Sequence, residues 1–215
     1  MSTTRLKIYN GALERCGDRS LASLTENREP RRLLDEVWND GGVRFCLEQG
    51  QWSFASRLAS FDYDTTVTPS FGYNRAFEKP TDLVIATGVC ADEYFKIPLL
   101  EYEDEAGYWY ADQDILYVKY ISDDGTYGGD LTKWPGSFTE YVKSYFAWRI
   151  VMRLTSDQVR QKAVFSMMEE ALSLAKNKDA MGGPTRFPPA GSWLQARRGG
   201  WMTDGGNDTS GNLIG

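Results

Sequence analysis

The stretch PRRLLDEVWNDGGVRFCLEQGQWSFA, residues 30–55, sets the organisation of this chain. Its first half places apolar or small residues four, three and four positions apart, which is one stripe of an α-helix: Leu34, Trp38, Gly41 and Phe45. After Gly50 the apolar residues alternate, at Trp52 and Phe54, as is typical of a strand. The pattern predicts a helix that passes into a strand at Gly50. Trp52 and Phe54 would then form the junction between a helical bundle and a sheet.

Gly41 and Gly42 interrupt this predicted helix. A glycine inside a helix costs roughly 1 kcal/mol relative to alanine. The pair indicates a kink or a break, and the alternative is a point where another backbone segment comes close.

Helices are predicted at both ends of the chain. Residues 3–17 read as a short helix, capped by Thr3 or Thr4 and ended by Gly17. Residues 137–180 read as a helical hairpin with a tight link at 154–157. A wide apolar face predicts that the second helix of the hairpin packs in a core against the N-terminal helices through Val159, Ala163, Phe165, Met167, Met168, Ala171, Leu172 and Ala175.

Between these helices, strand signals recur at 56–61, 82–86, 94–97, 108–110 and 115–120, where β-branched and aromatic residues dominate. Residues 111–114 predict a hairpin turn between the last two strands. The predicted fold class is α+β. A helical bundle comes from residues 1–51 and 136–180, an antiparallel β insertion from 52–135, and an extended Gly/Pro-rich C-terminal tail from 181–215.

Charge is concentrated in the predicted insertion. Residues 60–135 carry 15 acidic and 5 basic side chains, a net charge of −10, whereas the whole chain carries −6. Neutralising DNA phosphates requires clustered Lys and Arg, and the sequence has no such basic stripe. An acidic surface would repel DNA or keep the protein soluble.

The cysteines and the N-terminus indicate a reducing compartment. Cys16, Cys46 and Cys90 are odd in number, lie far apart and form no CxxC motif. No apolar run follows the N-terminus that could serve as a signal peptide, and none reaches the ~18 residues of a membrane span. We expect a protein that is made and kept in the cytosol.

Catalytic chemistry finds little support in the sequence. The chain has 0 His, which excludes Ser-His-Asp, Cys-His and HExxH sites, and it has neither a P-loop nor a GxGxxG motif. The carboxylates Glu101, Glu103, Asp104 and Glu105 are dense enough to read as a solvated face. We predict no catalytic residues, no cofactor and no metal.

The C-terminal tail combines glycines and prolines with residues that anchor interfaces. Aromatic and arginine side chains are typical anchors in protein–protein contacts. We predict that the tail binds a partner through Arg186, Phe187, Trp193, Leu194, Arg197, Arg198 and Trp201. The alternative is a tail that folds back on its own domain.

Several motifs occur in a familiar order over residues 3–180. They are Ala12-Leu13-Glu14-Arg15-Cys16-Gly17-Asp18, then Ser20-Leu21-Ala22-Ser23-Leu24, then Trp52-Ser53-Phe54-Ala55, then the run from Phe71 to Leu83 with its Pro80-Thr81-Asp82-Leu83 strand start, and finally Phe138 to Ser156. In this order the chain resembles the tail tubular protein A family, the head-to-tail adaptors of short-tailed bacteriophages. Gly41-Gly42 and the Gly-rich tail depart from that resemblance.

The resemblance implies a structural virion protein without enzymatic activity. It would form a ring of identical subunits, twelve in number, that docks under the portal protein and above the tail nozzle protein. The predicted anchors of the C-terminal tail would bind the portal protein or a neighbouring subunit, and the tail fibre is a further candidate partner. Double-stranded DNA would pass through the ring during ejection without sequence-specific binding, and no membrane would be involved. The protein would reside in the tail or neck of the virion after assembly in the host cytoplasm.

Two alternatives remain open at this point. The abundance of Asp and Glu in the middle of the chain would suit a tail-associated hydrolase of cell-wall or capsular glycan, which needs two carboxylates across a sugar cleft. A soluble module that binds an unrelated protein is the other alternative.

Overall fold

The computed structural model describes residues 3–182 and has an α+β fold, which confirms the predicted class. Three helices precede two antiparallel three-stranded sheets, and two long helices follow them. The helices are α1 Arg5–Cys16, α2 Glu29–Asn39, α3 Gly42–Glu48, α4 Gly136–Thr155 and α5 Gln158–Gly182. The strands are β1 Ser56–Asp62, β2 Arg75–Glu78, β3 Leu83–Cys90, β4 Glu103–Asp104, β5 Tyr108–Ala111 and β6 Ile115–Ser122.

Helix α1 begins and ends where its sequence predicts. The Thr4 side chain accepts a hydrogen bond from the Lys7 amide, which satisfies one of the free donors of the first turn. Gly17 closes the helix in the left-handed region, at φ 72°, where a residue without Cβ is least strained.

The predicted helix through residues 31–49 is two helices, because Gly41 adopts φ 81° and ends the continuous hydrogen-bond ladder. The following glycine also permits a close approach. A Cβ on Gly42 would lie 2.6 Å from the Val37 carbonyl oxygen and 3.4 Å from the Phe146 ring. The two explanations of the glycine pair are therefore both realised: Gly41 breaks the helix, and Gly42 lets α3 start against α2 and α4.

Helix α4 is the centre of the helical part and packs against α1, α2, α3 and α5. Its Phe146 is fully buried and meets the ring of Trp38 edge-on at 5.9 Å, and Trp38 in turn meets Tyr9 of α1 at 6.2 Å. The helical core therefore comes from both ends of the chain.

Helix α5 differs from its predicted role as a core helix. Of its 25 residues only Val164 and Ala175 are buried. Met168, Ala171 and Leu172 are partly buried against the core, whereas Val159, Ala163, Phe165 and Met167 are exposed. The correction has a simple cause, since α5 lies at the outside of the bundle and its main neighbour is α4.

The strands form two sheets, ordered β1-β6-β3 and β2-β5-β4, with every pairing antiparallel. They pack on a common core of Phe77, Val89, Trp109, Ala111, Leu116, Val118 and Tyr120. The predicted hairpin at 111–114 is wrong, because β5 and β6 belong to different sheets and this turn carries the chain from one sheet to the other. Two short strands, β2 and β4, were not predicted.

The predicted strand at 94–97 is also wrong, because Asp92 folds this segment into a loop. The Asp92 carboxylate accepts hydrogen bonds from the amides of Lys96, at 3.0 Å, and Ile97, at 2.7 Å. Phe95 takes a positive φ of 55°, which strand geometry does not allow.

The two glycines at the α2–α3 break provide a test of this account. We expect Gly42→Ala to lower the free energy of unfolding by roughly 2 kcal/mol or more, because the added methyl overlaps the Val37 carbonyl. Gly41→Ala should cost about 1–2 kcal/mol through its positive φ. Urea denaturation followed by tryptophan fluorescence measures both values.

Gly136→Ala is the matched control, since nothing lies within 4 Å of its Cβ position in the first turn of α4. This control should be neutral or slightly stabilising. Equal stability of Gly42→Ala and the control would contradict the close approach.

Candidate functional site at the helix–sheet junction

Four aromatic rings meet where the helices give way to the sheets. The Phe138 ring of α4 lies 4.8 Å from Trp52, 4.9 Å from Phe54 and 5.0 Å from Trp134, measured between ring centroids. Trp52 and Phe138 are almost completely buried. Edge-on and tilted pairs at these distances add to the hydrophobic gain of burial. We call these four residues the junction cluster.

The predicted junction residues are therefore brought together, but not in a strand. Residues Ser53–Ala55 form a single 3₁₀ turn, and β1 begins only at Ser56. The Trp52 indole N–H donates to the Cys46 carbonyl of α3 at 3.3 Å, so its polar atom is satisfied inside the core. A side chain on Gly50 would lie 3.0 Å from the Trp52 ring, which explains the glycine just before the junction.

Helix α5 is tied to the same turn by one carboxylate. Asp179 accepts hydrogen bonds from the Ser53 hydroxyl at 2.6 Å and from the Ser53 amide at 3.1 Å. The amide at the start of a 3₁₀ turn has no partner within the turn, and Asp179 supplies one. This contact joins residues 126 positions apart in sequence, and it fixes the C-terminal part of α5 against the junction.

A second polar connection holds α3 to the sheet of β1, β6 and β3. Arg44 of α3 donates to the Asp123 carboxylate and to the Leu83 carbonyl. Both acceptors flank the end of the sheet nearest the helices, because Leu83 pairs with Ser122 there. The insertion is thus fastened to the helical bundle on both sides of the junction cluster.

Asp82, next to this connection, organises the polar side chains at the same end of the sheet. Arg57 donates to its carboxylate at 2.9 Å, and the hydroxyls of Ser122 and Tyr120 face it as well. Partial burial raises the pKa of Asp82, but the hydrogen bonds from Ser122 and Arg57 outweigh it and leave the pKa below its usual range. Burial, with the neighbouring Asp82 charge, raises the pKa of Tyr120 to about 12.

A cleft of about 570 Å³ opens beside the junction cluster. Trp52 and Phe138 form one wall, and Ala171, Leu174 and Lys178 of α5 form the opposite wall. We call it the junction cleft. Its walls combine apolar side chains with a few charged ones, as in sites that receive a protein segment or a ligand.

The carboxylates that were predicted to form one solvated face have different surroundings in the structure. Asp104 forms an ion pair with Lys79 and accepts a hydrogen bond from the Trp109 indole N–H at 3.1 Å, so its carboxylate stabilises the fold. Glu103 and Glu105 line a separate cleft of about 500 Å³ with aromatic residues such as Tyr110. Both glutamates are exposed to solvent.

An unpredicted apolar face lies on the solvent side of α5. Met167, Leu174 and Met181 recur every seven residues and are 51–85% exposed. Ala163 extends the same side of the helix, because 4- and 7-residue steps return to one face. We call these four residues the outer stripe. The seven-residue spacing was present in the sequence, but Ala163 and Met167 were assigned to the core, and no role was predicted for Leu174 and Met181.

A second unpredicted surface is the loop of residues 91–102, which we call the distal loop. The Cys90–Tyr117 and Asp62–Ile115 pairs place it at the end of the sheet away from the helices. Tyr94, Ile97 and Leu100 are 61–86% exposed on this loop. Backbone hydrogen bonds close the loop, from the Ala91 amide to the Ile97 carbonyl at 3.2 Å and from Leu99 to Val89 at 2.9 Å.

The remaining predicted site residues, from Arg186 to Trp201, lie outside the described residues. Within residues 3–182, no group of three or more His, Cys, Asp or Glu side chains could hold a metal ion. No helix in the same range is long and apolar enough to cross a membrane.

Comparisons with known proteins add no assignment. A scan against models of protein families matched none of them to this chain, and a search of curated proteins found no significant match.

The Asp82 network gives a prediction with a defined pH dependence. Because the pKa of Asp82 is lower in the folded chain, its contribution to stability is fully present above its unfolded pKa of about 4 and is lost as pH falls below that value. We expect Asp82→Asn to lower the free energy of unfolding at pH 7 by about 1–3 kcal/mol. The difference from the unmodified chain should shrink below about pH 4.

Urea titrations at several pH values measure this difference. Asp62→Asn is the control, since Asp62 is an exposed aspartate at the far end of β1 and should show little effect at any pH. A penalty for Asp82→Asn that does not change as the solution is acidified would contradict the assigned network.

The junction cluster predicts a graded response at Trp52. We expect Trp52→Ala to cost about 3–5 kcal/mol, because it empties a fully buried position, and Trp52→Phe to cost less because a ring remains. Thermal unfolding by circular dichroism separates the two variants. Near-native stability of Trp52→Ala would show that the cluster does not hold the junction.

Proposed function

We propose that this chain is a structural virion protein, the head-to-tail adaptor of a short-tailed bacteriophage. In this role it forms a ring that joins the portal protein to the tail nozzle and encloses part of the DNA ejection channel. The supporting observation is that the motifs of the resemblance fall at the joints of the fold.

Four of the five motifs have a structural task at a joint. Gly17 ends α1 in the left-handed region, and Ser156, at φ 52°, ends α4. Trp52 lies in the junction cluster, and Asp82 organises the start of β3. Proteins that share a fold need residues that fix the ends and crossings of its helices and strands. The order of these motifs therefore supports a shared fold more strongly than amino-acid composition would.

The joined architecture also suits an adaptor. A ring subunit must hold two parts at a fixed angle, because each part contacts a different neighbour. The junction cluster, the Ser53–Asp179 contact and the Arg44 contacts fasten the helical bundle to the β insertion at three points. The insertion carries 15 of the 30 acidic side chains of the chain, and an acidic surface favours sliding of DNA over adhesion.

Exposed apolar surfaces support an assembled protein. The outer stripe and the distal loop expose large apolar residues on two separate parts of the same compact unit. Exposed apolar patches of this kind mark contacts with other proteins. The proposed assembly takes place in the host cytoplasm, and the finished ring belongs to the neck of the virion.

Binding to the portal protein tests this function. We expect the purified chain to co-sediment with rings of the cognate portal protein. It should not co-sediment with a portal mutant that lacks the surface facing the tail. Deleting residues 182–215 should leave the circular dichroism spectrum and the melting temperature nearly unchanged, because both cores lie within residues 3–182. The same deletion should weaken portal binding at least about tenfold, because it removes the aromatic and arginine anchors.

The full-length variant with Trp193→Ala and Trp201→Ala is the matched comparison for the deletion, since it keeps the chain length. Unchanged portal binding by both variants would remove the tail from the interface. A chain that never associates with portal rings would contradict the adaptor function. Clearing of a glycan gel by the purified protein, abolished by Glu103→Gln with Glu105→Gln, would favour the hydrolase instead.

A further inference from the structure

We propose that a cleft on the β insertion binds an arginine side chain from residues 183–201 of another copy of this chain. The cleft has a volume of about 500 Å³ and is lined by the loop of residues 68–73 with Glu103, Glu105 and Tyr110. We call it the acidic cleft. The contact rests on the proposed ring, in which the two copies are neighbouring subunits.

Three aromatic side chains line the acidic cleft. Phe71 and Tyr73 come from the loop between β1 and β2, and Tyr110 comes from β5. Asn74 holds this loop beside the end of β5, because its amide and its side chain donate to the Asp112 carboxylate at 2.8 and 2.9 Å. Phe71 is 91% exposed, so its ring is available to a ligand. Planar guanidinium groups stack on aromatic faces of this kind.

The charged side chains of the acidic cleft are both carboxylates. Glu103 and Glu105 line it, and no basic side chain does. Within residues 3–182, the Glu103 carboxylate has neither a hydrogen-bond nor an ion-pair partner. Partial burial and the neighbouring Glu105 carboxylate raise the pKa of Tyr110, which places Glu105 beside the phenol. Because a carboxylate only accepts hydrogen bonds and a guanidinium only donates them, the cleft and an arginine match.

The surroundings of the acidic cleft add to its negative potential. Residues 97–118 carry six acidic side chains and no basic one. Two of the six are paired with basic side chains, Asp104 with Lys79 and Asp114 with Arg75, and the other four form no ion pair within the described part of the chain. Lys79 also donates to a backbone carbonyl beside the cleft, so its ammonium is used within the fold. A cationic ligand is therefore favoured over a glycan, whose hydroxyl groups carry no charge.

The arginines of the described residues are already engaged. Twelve of the fifteen arginines of the chain lie within residues 3–182, and each has a hydrogen-bond or ion-pair acceptor in its own chain. The other three belong to residues 183–201, which contain no acidic residue. This segment therefore complements the acidic cleft in charge, and opposite charges select the partner and its orientation.

The contact joins two different surfaces of successive copies. Arg197 lies fifteen residues beyond the end of α5, and an extended chain of that length spans up to about 50 Å. Such a span allows an arginine of one copy to enter the cleft of the next. Repeating a heterologous contact around a rotation axis generates a ring, whereas a contact between two identical surfaces stops at a dimer.

Two full-length variants and their mixture test the contact by sedimentation velocity and native mass spectrometry. One variant carries Arg186→Gln, Arg197→Gln and Arg198→Gln, and the other carries Glu103→Gln and Glu105→Gln at exposed positions, where folding should be retained. We expect each variant to self-associate at least about tenfold more weakly than the unmodified chain, because either the arginines or their acceptors are lost. An equimolar mixture should form a discrete dimer, since the arginines of one variant meet the intact cleft of the other.

A synthetic peptide of residues 183–201 tests the cleft itself by isothermal titration into the full-length variant without the three arginines. We expect binding that weakens as salt is raised, and at least about tenfold weaker binding when Glu103→Gln and Glu105→Gln are added. Phe71→Ala should also weaken it, because a stacking ring is lost. A peptide with lysine in place of each arginine should bind about threefold more weakly or worse, since an ammonium lacks the planar donor pattern.

Glu169→Gln with Glu170→Gln is the matched control, because it removes the same charge from two exposed glutamates of α5, and it should assemble normally. Normal assembly of either test variant, a mixture without the dimer, or an unmodified chain that stays monomeric overturns the contact. Equal binding of the lysine peptide overturns the assignment to arginine, and a cell-wall oligosaccharide that displaces the peptide assigns the cleft to a sugar instead. Portal binding by the unmodified chain decides the adaptor function separately.

Discussion

The packing of Trp52 against Phe138 is the constraint on which the rest of the structure depends. Trp52 follows the three N-terminal helices in sequence, and Phe138 lies in the first turn of the C-terminal helical hairpin. The contact between their rings, 4.8 Å between centroids, therefore joins the two ends of the chain around the inserted sheets. The chain leaves the bundle at the 3₁₀ turn and re-enters it at α4. Because both crossings lie at this cluster, the orientation of the insertion is set at the same place where the helical core is completed. Burial of these rings also stabilises the bundle and the junction together.

Local chemistry made part of this fold predictable. Thr4 and Gly17 cap α1 as their residue types require, and the aromatic pair after Gly50 marks the junction. The fold class followed from helical periodicity at both ends and β-branched runs between them. The prediction of a strand at 94–97 was wrong because the Asp92 carboxylate accepts hydrogen bonds from backbone amides of a loop. Strand propensity does not take such hydrogen bonds into account. The turn at 111–114 was assigned to a hairpin because sequence shows that two strands are adjacent but not which sheet each one joins.

The candidate surfaces were harder to predict for a related reason. An apolar residue on a helix has the same sequence signature whether it faces a core or a partner, so Phe165 and Met167 were assigned to the interior. Their exposure follows from the position of α5 outside α4, which is a tertiary property. The distal loop was missed because residues 94–97 were predicted to form a strand. On the fold, the exposed apolar residues of the distal loop and of the outer stripe lie on separate parts of the same compact unit.

A class-averaged electron-microscopy image of the unmodified assembly, viewed along its symmetry axis, tests the central claim most directly. The claim is that the junction cluster holds the β insertion at one fixed angle to the helical bundle in every subunit of a ring. The predicted result is a closed ring whose subunits all show the same angle between bundle and insertion. Paired subunits related by two-fold axes, or subunits that differ in this angle, would contradict the account.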